Sequence, residues 1–329
     1  MSTVTIKDIA REAGCSISTV SKAINNYPNI PEETKQKIFQ VMKELGYIPN
    51  KAASTLSSKK NEKIALYLYI NDRFQQIDEI NMLYILGAFD KAKELELETT
   101  TVFNYSIENL QKEDLQAYFK SLSVDVIVVF GLNKDDEKIH YLMNNSDFKF
   151  VVVDADITNK NTSSVMIDHT LGQYETAKQL IDENDKVLYL AGKSNGYVTD
   201  MRLKGIKKLK KEVPMELTIK NADFSENRAY EIAKETGWQY DAIVCASDLM
   251  AVGAKRALNE IGHFAKLSGF DGIRLMGYVG EDILTCKQNF YEIGTKAVEE
   301  ASHLHAGKKG ESVTLPFQIG KISYQSIIR

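Results

Sequence analysis

The sequence predicts a small all-α head carrying a helix-turn-helix, followed by an α/β body of two doubly wound parallel-sheet lobes. Three observations predict it. Residues 1–60 carry nine Lys or Arg against five Asp or Glu, a net +4, whereas the rest of the chain carries 32 against 40, a net −8. A basic head on an acidic body suits a chain whose first part meets a polyanion. Within the first 46 residues, apolar positions recur at helical spacing in three short runs. From residue 62 onward, apolar β-branched runs alternate with amphipathic stretches, as in buried parallel strands joined by crossover helices.

At 329 residues, 43% of them hydrophobic, the chain buries a large core and exceeds one ordinary domain. No 18-residue apolar window and no basic segment leading into an apolar one is found, so neither a membrane span nor export is expected, and the protein is read as cytoplasmic. The three cysteines, Cys15, Cys245 and Cys286, are odd in number and form no C-x-x-C pair. They are read as reduced packing residues.

The first helix is expected over residues 5–13, TIKDIAREA. Thr5 stands at the N-cap with Asp8 three residues on, a capping-box spacing, and Ile6, Ile9, Ala10 and Ala13 share one face. Gly14 turns the chain. The second helix follows at once from the N-cap Ser16, with Ile17, Val20, Ala23 and Ile24 at helical spacing and Asn25 and Asn26 ending the pattern. Ser18, Ser21 and Lys22 occupy its other face, which holds no acid and so approaches phosphates and base edges without repulsion. Two helices joined this tightly form a helix-turn-helix, the first bracing and the second entering the major groove. A third begins near Pro31, with Glu32 and Glu33 at the positive end of its dipole and Ile38, Val41, Met42 and Leu45 as its stripe; Gly46 stops it.

Residues 47–60, YIPNKAASTLSSKK, read as a hinge. Pro49 breaks what precedes it, and helix propensity is too modest for so short a piece to be ordered without binding something. Leu56, alone in a basic segment, either wedges between base pairs in a minor groove or packs on the neighbouring domain.

In the body, strands are expected at 64–70, 99–103, 125–130, 150–154, 163–168, 186–192, 241–247 and 265–271, with an amphipathic helix from about Glu79 to Leu97. Ligands of such sheets bind beyond the carboxyl ends of the strands. Asp72, Asp154, Asp248 and Asp271 follow strands, and Arg202 and Asn195 lie near enough in pattern to join them. Carboxylates and one guanidinium serve several neutral hydroxyls at once, as in sugar recognition. Each acid is equally readable as the cap of the next helix, Asp248 above all, because it directly precedes LMAVGAKRAL.

With these parts in order, the chain resembles the LacI/GalR family of bacterial transcription regulators along nearly its full length. Family heads follow V-T-x-x-D-[VI]-A-x-x-A-G-V-S-x-x-T-V-S-[RK]-x-[LI]-N, and the chain has Val4, Thr5, Asp8, Ile9, Ala10, Ala13, Gly14, Ser16, Thr19, Val20, Ser21, Lys22, Ile24 and Asn25. ELGYIPN at 44–50 with Ala53 and Leu56 resembles the family hinge, and MRLKGI, CASDLMAVGA, GFDG and CKQNFYEIG match pieces of its core. The resemblance implies a core of two lobes similar to periplasmic sugar-binding proteins: residues 61–158 with 288–316, and 159–287 with 317–329. It implies that Arg202 and Asp271 hold effector hydroxyls, that Phe224 offers a wall, and that Ser247 and Asp248 line the cleft. Asp72, Asp154 and Asn195 from the strand-end reading, with Phe74 and Gln288, complete the expected effector set. It also favours the wedge for Leu56. The chain departs from the pattern in Ser54 for arginine, Pro31 for a serine cap and GFDG for GFDD.

The expected function is an operator-binding homodimer, a repressor of a carbohydrate-use operon under a small-molecule effector. Ile17, Ser18 and Lys22 read bases; Thr5, Ser16, Thr19, Ser21 and Asn25 hold phosphates; Tyr47, Asn50, Ala53 and Leu56 form the hinge contact. No H-E-x-x-H, P-loop, G-x-S-x-G or glycine fingerprint occurs, so no enzyme, cofactor or metal is expected, and His303 and His305 are read as helix-end residues. A sugar-active enzyme using Asp154 and Asp271, or a receptor without DNA function, are the alternatives.

Overall fold

The computed structural model describes residues 4–24, 27, 29–47, 62–70, 79–279 and 283–327. These belong to two compact units, residues 1–61 and 62–329. Of the expected site residues, Asn25, Asn50, Ala53, Leu56, Asp72 and Phe74 lie outside the described residues.

The first unit is three helices, α1 (Ile6–Ala13), α2 (Ile17–Ile24) and α3 (Glu32–Glu44). Thr5 and Asp8 close the capping box, the Thr5 amide donating to the Asp8 carboxylate at 3.0 Å. Gly14 ends α1 at φ 66°, a left-handed conformation that an L side chain strains to adopt. Ile9, Ala10, Ala13, Val20, Ala23, Ile38, Val41 and Met42 form the core. Ile17 is 46% exposed and lies outside that core. Two details differ from the sequence reading. Leu45 is exposed because α3 ends at Glu44 and Gly46, at φ 64°, turns the chain away. Tyr47, assigned to the hinge, packs half-buried against the head core, its amide donating to the Met42 carbonyl.

The second unit contains two parallel sheets. The first runs in the order β2 (Glu98–Phe103), β1 (Lys63–Leu68), β3 (Val126–Phe130), β4 (Lys149–Val153), β5 (Thr162–Ile167) and β11 (Ser312–Leu315). The second runs β7 (Glu216–Asn221), β6 (Lys186–Ala191), β8 (Ala242–Cys245) and β9 (Lys266–Ser268). A short antiparallel pair, β10 (Thr285–Lys287) with β12 (Gln318–Gly320), lies where the chain passes between them. Strands such as β3, buried along their whole length, account for the unbroken apolar runs. In the first lobe, α4 (Glu79–Glu94) and α12 (Phe290–His305) pack through glycines: a Cβ on Gly87 would stand 2.0 Å from the Tyr291 carbonyl oxygen. Helices α7 (His169–Lys178), α8 (Tyr197–Glu212), α9 (Glu226–Thr236) and α10 (Asp248–Ile261) clothe the second.

The expected lobe boundary moves. Strand β5 pairs with β4 and β11, so residues 162–167 belong to the first sheet rather than to the second lobe. Strands β7, β10, β11 and β12 carried no readable sequence signal. The first is a half-exposed edge strand and the others are three or four residues long, so none shows a sustained apolar run.

Candidate functional site

On α2, the Ser16 hydroxyl accepts the Thr19 amide at 3.0 Å and lies 2.7 Å from the Ser18 hydroxyl and 2.8 Å from that of Thr19. These hydroxyls are thus gathered at the helix N-terminus, where an anion is favoured by the dipole. Ile17, Ser18 and Lys22 are exposed beside them, and Thr5 is exposed at the start of α1. An apolar tip, hydroxyls and one ammonium on a single surface are the chemistry for reading a thymine methyl, phosphates and guanine acceptors.

The second site lies between the lobes. Asp154 follows β4, Gly192 follows β6, Phe224 follows β7, Ala246 and Ser247 follow β8, and Asp271 follows β9. Backbone strain gathers here: of the seven non-glycine residues with positive φ among those described, Asp154, Asp223, Phe224 and Asp271 are four. Such conformations persist where surrounding bonds fix them, characteristically at binding sites. Asp271, at φ 122°, is fixed by its amide donating to the Cys286 carbonyl and its carbonyl accepting the Gln288 amide. Phe224 lays its ring directly over Gly192, where a Cβ would meet the ring at 2.0 Å.

Arg202, on α8 and only 4% exposed, is the hub. Its Nη2 contacts Asp271 Oδ1 at 3.0 Å, its Nη1 donates to the Ala246 carbonyl, and its Nε donates to His169 Nδ1 at 3.4 Å. The guanidinium stacks on the Phe270 ring, 3.8 Å from the centroid, with Phe224 at 5.9 Å. His169 Nε2 lies 2.9 Å from Asp154 Oδ1, and the Tyr84 hydroxyl donates to Asp154 Oδ2 at 2.6 Å. Gln288 donates to Asp271 Oδ1 at 3.1 Å, and its own buried amide oxygen has no partner.

Burial sets the protonation states. It lifts the Asp271 carboxyl to about 7, against the pull of Arg202, and lowers His169 despite Asp154. Burial also pushes Asp154 up, but His169, Tyr84 and Arg202 outweigh it and leave that carboxyl below its ordinary value.

Two expected contacts, Asp248 and Asn195, take other roles. Ser247, rather than Asp248, caps α10, accepting the Met250 amide. Asp248 is fully buried, with Oδ2 accepting the amides of Gly272 and Ile273 at 2.7 and 2.9 Å and Oδ1 accepting the Thr285 hydroxyl at 2.7 Å. It therefore fixes the loop that carries Asp271. That loop also explains the GFDG departure: Gly272 sits at φ 78°, and a Cβ there would stand 2.7 Å from the Lys287 Cα. Asn195 clasps the two lobes, its amide donating to the Asp135 carboxylate at 2.8 Å and its carbonyl accepting the Lys134 amide at 2.9 Å. Lys134 Nζ reaches Asp200 at 2.6 Å on the same side, and Glu79 accepts the Arg274 amide at 2.9 Å.

Residues 5–50 match the family model for bacterial regulatory proteins of the lacI family, and residues 86–309 match that for periplasmic binding proteins and the sugar-binding domain of the LacI family. The chain belongs to the LacI family. It is 28% identical to the HTH-type transcriptional regulator RegA of Clostridium saccharobutylicum over 317 residues, covering 89% of this chain and 90% of RegA. It is likewise 28% identical to catabolite control protein A of Staphylococcus aureus over 338 residues, covering 96% and 98%. The Lac repressor bound to ONPG superposes with a TM-score of 0.82 at 22% identity over 97% of this chain and 99% of that one. The regulator CelR in complex with cellobiose gives 0.69 at 19% identity over 97% and 99%. The two-lobed, periplasmic-binding-protein-like core and the helix-turn-helix head are therefore those of a LacI-family transcription regulator.

Two residues of the cleft, His169 and Tyr84, escaped the sequence reading. Tyr84 lies inside an amphipathic helix where an aromatic reads as core, and His169 is a single histidine with no metal-ligand spacing. The expected strand at 163–168 and the helix-capping Asp168, whose side chain accepts the Leu171 amide, placed His169 at a strand end without marking it as a cleft residue.

Proposed function

We propose that this LacI-family regulator is a cytoplasmic, homodimeric repressor of a carbohydrate-use operon. It binds a near-palindromic operator and is switched by a neutral, hydroxyl-rich small molecule, a sugar or sugar derivative, held by Arg202, Asp271, Asp154, Gln288, Ser247 and Phe224. The observation that carries this reading is the charge of the cleft: its one guanidinium, Arg202, is already paired with Asp271, and the Asp154 carboxylate stands beside it. An added phosphate or carboxylate would meet net negative charge, whereas hydroxyls can donate to Asp271 and to the unpartnered Gln288 oxygen. Phe224, half-buried beside Arg202, supplies the apolar wall that a sugar ring stacks on, while Phe270 is fully buried and backs the guanidinium. Tight operator binding needs two linked heads, and the outer face of α4 offers a pairing surface in Met82, Leu86 and Phe89, which are 65%, 50% and 42% exposed.

The test is a thermal-shift screen of the full chain against D-ribose, D-allose, cellobiose and their phosphorylated counterparts, followed by retention of an operator selected from random DNA. A ligand that binds only the native state raises its melting point. Neutral sugars are expected to include the stabilising ligand and to change operator retention. Stabilisation by phosphorylated sugars alone would overturn the reading. Lys22→Ala is expected to abolish preference for the selected operator over random DNA; an unchanged preference would remove α2 from the base-reading role.

A further inference from the structure

The cleft side chains form one continuous hydrogen-bonded chain from the first lobe to the second. Tyr84, on α4, and Asp154, after β4, belong to the first lobe; Arg202, on α8, and Asp271, after β9, belong to the second. His169 stands at the crossing between them, at the first residue of α7 and fully buried, its ring stacked on Phe270 with centroids 5.7 Å apart. Its two nitrogens face groups of opposite need. Asp154 Oδ1 requires a donor, and Arg202 Nε–H requires an acceptor. A neutral imidazole with its proton on Nε2 supplies both, and no apolar, anionic or cationic side chain does.

We propose that His169 is the positioning residue that holds the two lobes together through the effector site, in its neutral Nε2–H form, by aiming Arg202 from one lobe and Asp154 from the other at the same space. It acts through those two residues and need not touch the effector. The clasp between Lys134 and Asn195 and the bond from the Arg274 amide to Glu79 close the lobes on either side of this chain, and they open when it is broken. The inference deepens the effector-site reading above, but its test requires no effector, so the two fail separately.

Two interlobe amides, Lys134 N–H and Arg274 N–H, report closure directly. Amide hydrogen exchange of the full-length protein is compared for wild type, His169→Phe and His169→Gln. Phenylalanine keeps the flat ring on Phe270 and removes both bonds; glutamine keeps a donor and an acceptor on one side chain. The expected result is exchange about tenfold faster or more at Lys134 and Arg274 in His169→Phe, the factor that two lost hydrogen bonds at the low end of ordinary net strength carry, with strands β3 and β8 unchanged. Protection returns in His169→Gln. Equal protection in all three proteins, or loss in both variants alike, overturns the proposal, the second outcome reducing His169 to packing.

If His169→Phe fails to fold, the same two amides are followed in wild type as pH falls. The groups facing the imidazole are Asp154 and Tyr84 from the first lobe, Arg202 with Asp271 behind it from the second, and Asp168 on its own turn. An imidazolium has no acceptor for Arg202, so acid opens the wild-type clasp and leaves His169→Gln closed. Identical pH profiles for the two proteins overturn the proposal.

Discussion

Replacing Asp248 by asparagine tests whether this acid binds effector or braces the loop beneath it. Its carboxylate is fully buried and accepts three hydrogen bonds, from the Gly272 and Ile273 amides and the Thr285 hydroxyl, yet burial still lifts its pKa from 3.8 to about 6. Between those two values the folded chain holds a proton that the unfolded chain has released. Stability therefore falls as pH rises through the window from about 4 to 6 and stays lower above it. For a carboxyl raised this far by burial, the loss is on the order of a few kcal/mol. Asparagine keeps the shape: its oxygen takes both amides and its nitrogen donates to the Thr285 oxygen. It carries no charge at any pH, and it removes a neighbour that helps raise Asp271. Urea unfolding of the body of wild type and Asp248→Asn at pH values from 4 to 8 reads the difference. The variant is expected to gain on wild type as pH rises, with most of the gain complete by pH 7, and to bind the effector with the wild-type preference among sugars. A stability difference that does not change with pH would refute the burial argument, and loss of ligand response in a fully stable variant would return Asp248 to the contact set.

Three further outcomes are expected. Gly192→Ala places a methyl where the Phe224 ring lies, so Phe224 is expelled from the cleft wall; stability should drop by about 1–3 kcal/mol and the sugar-induced thermal shift should be lost, with a retained shift arguing against Phe224 as a wall. Arg202→Ala strands the buried Asp271 carboxyl and is expected to cost about 3–5 kcal/mol, so Arg202→Lys is the cleaner variant: it keeps the charge, cannot make the contacts to Asp271, Ala246 and His169 together, and should fold while losing the ligand response in a thermal-shift assay. Met82→Glu with Leu86→Glu puts like charges on the outer face of α4, and sedimentation should report monomers in place of dimers; dimers of unchanged affinity would place the pairing surface elsewhere.

By itself, the sequence determined the parts. Thr5 with Asp8, Gly14, Ser16 and Gly46 punctuate the head because capping and left-handed turns depend on a few adjacent residues, and the buried strands announce themselves because a strand covered on both faces must be apolar throughout. The charge split between head and body was equally legible, since counting charges needs no coordinates. It also located Arg202, Asp154 and Asp271, though not what each one touches. Tertiary structure alone decided that. Tyr84 meets Asp154 across 70 residues of chain, and Asp248 reaches Gly272 across 24, separations at which no periodicity carries information. The same distance hid His169, whose meaning lies in an acid from one lobe and a guanidinium from the other. Residues expected to face a ligand, such as Asp248 and Asn195, proved to brace the loop and clasp the lobes, because burial and the partners within reach assign a polar side chain its role, and both are properties of the folded chain.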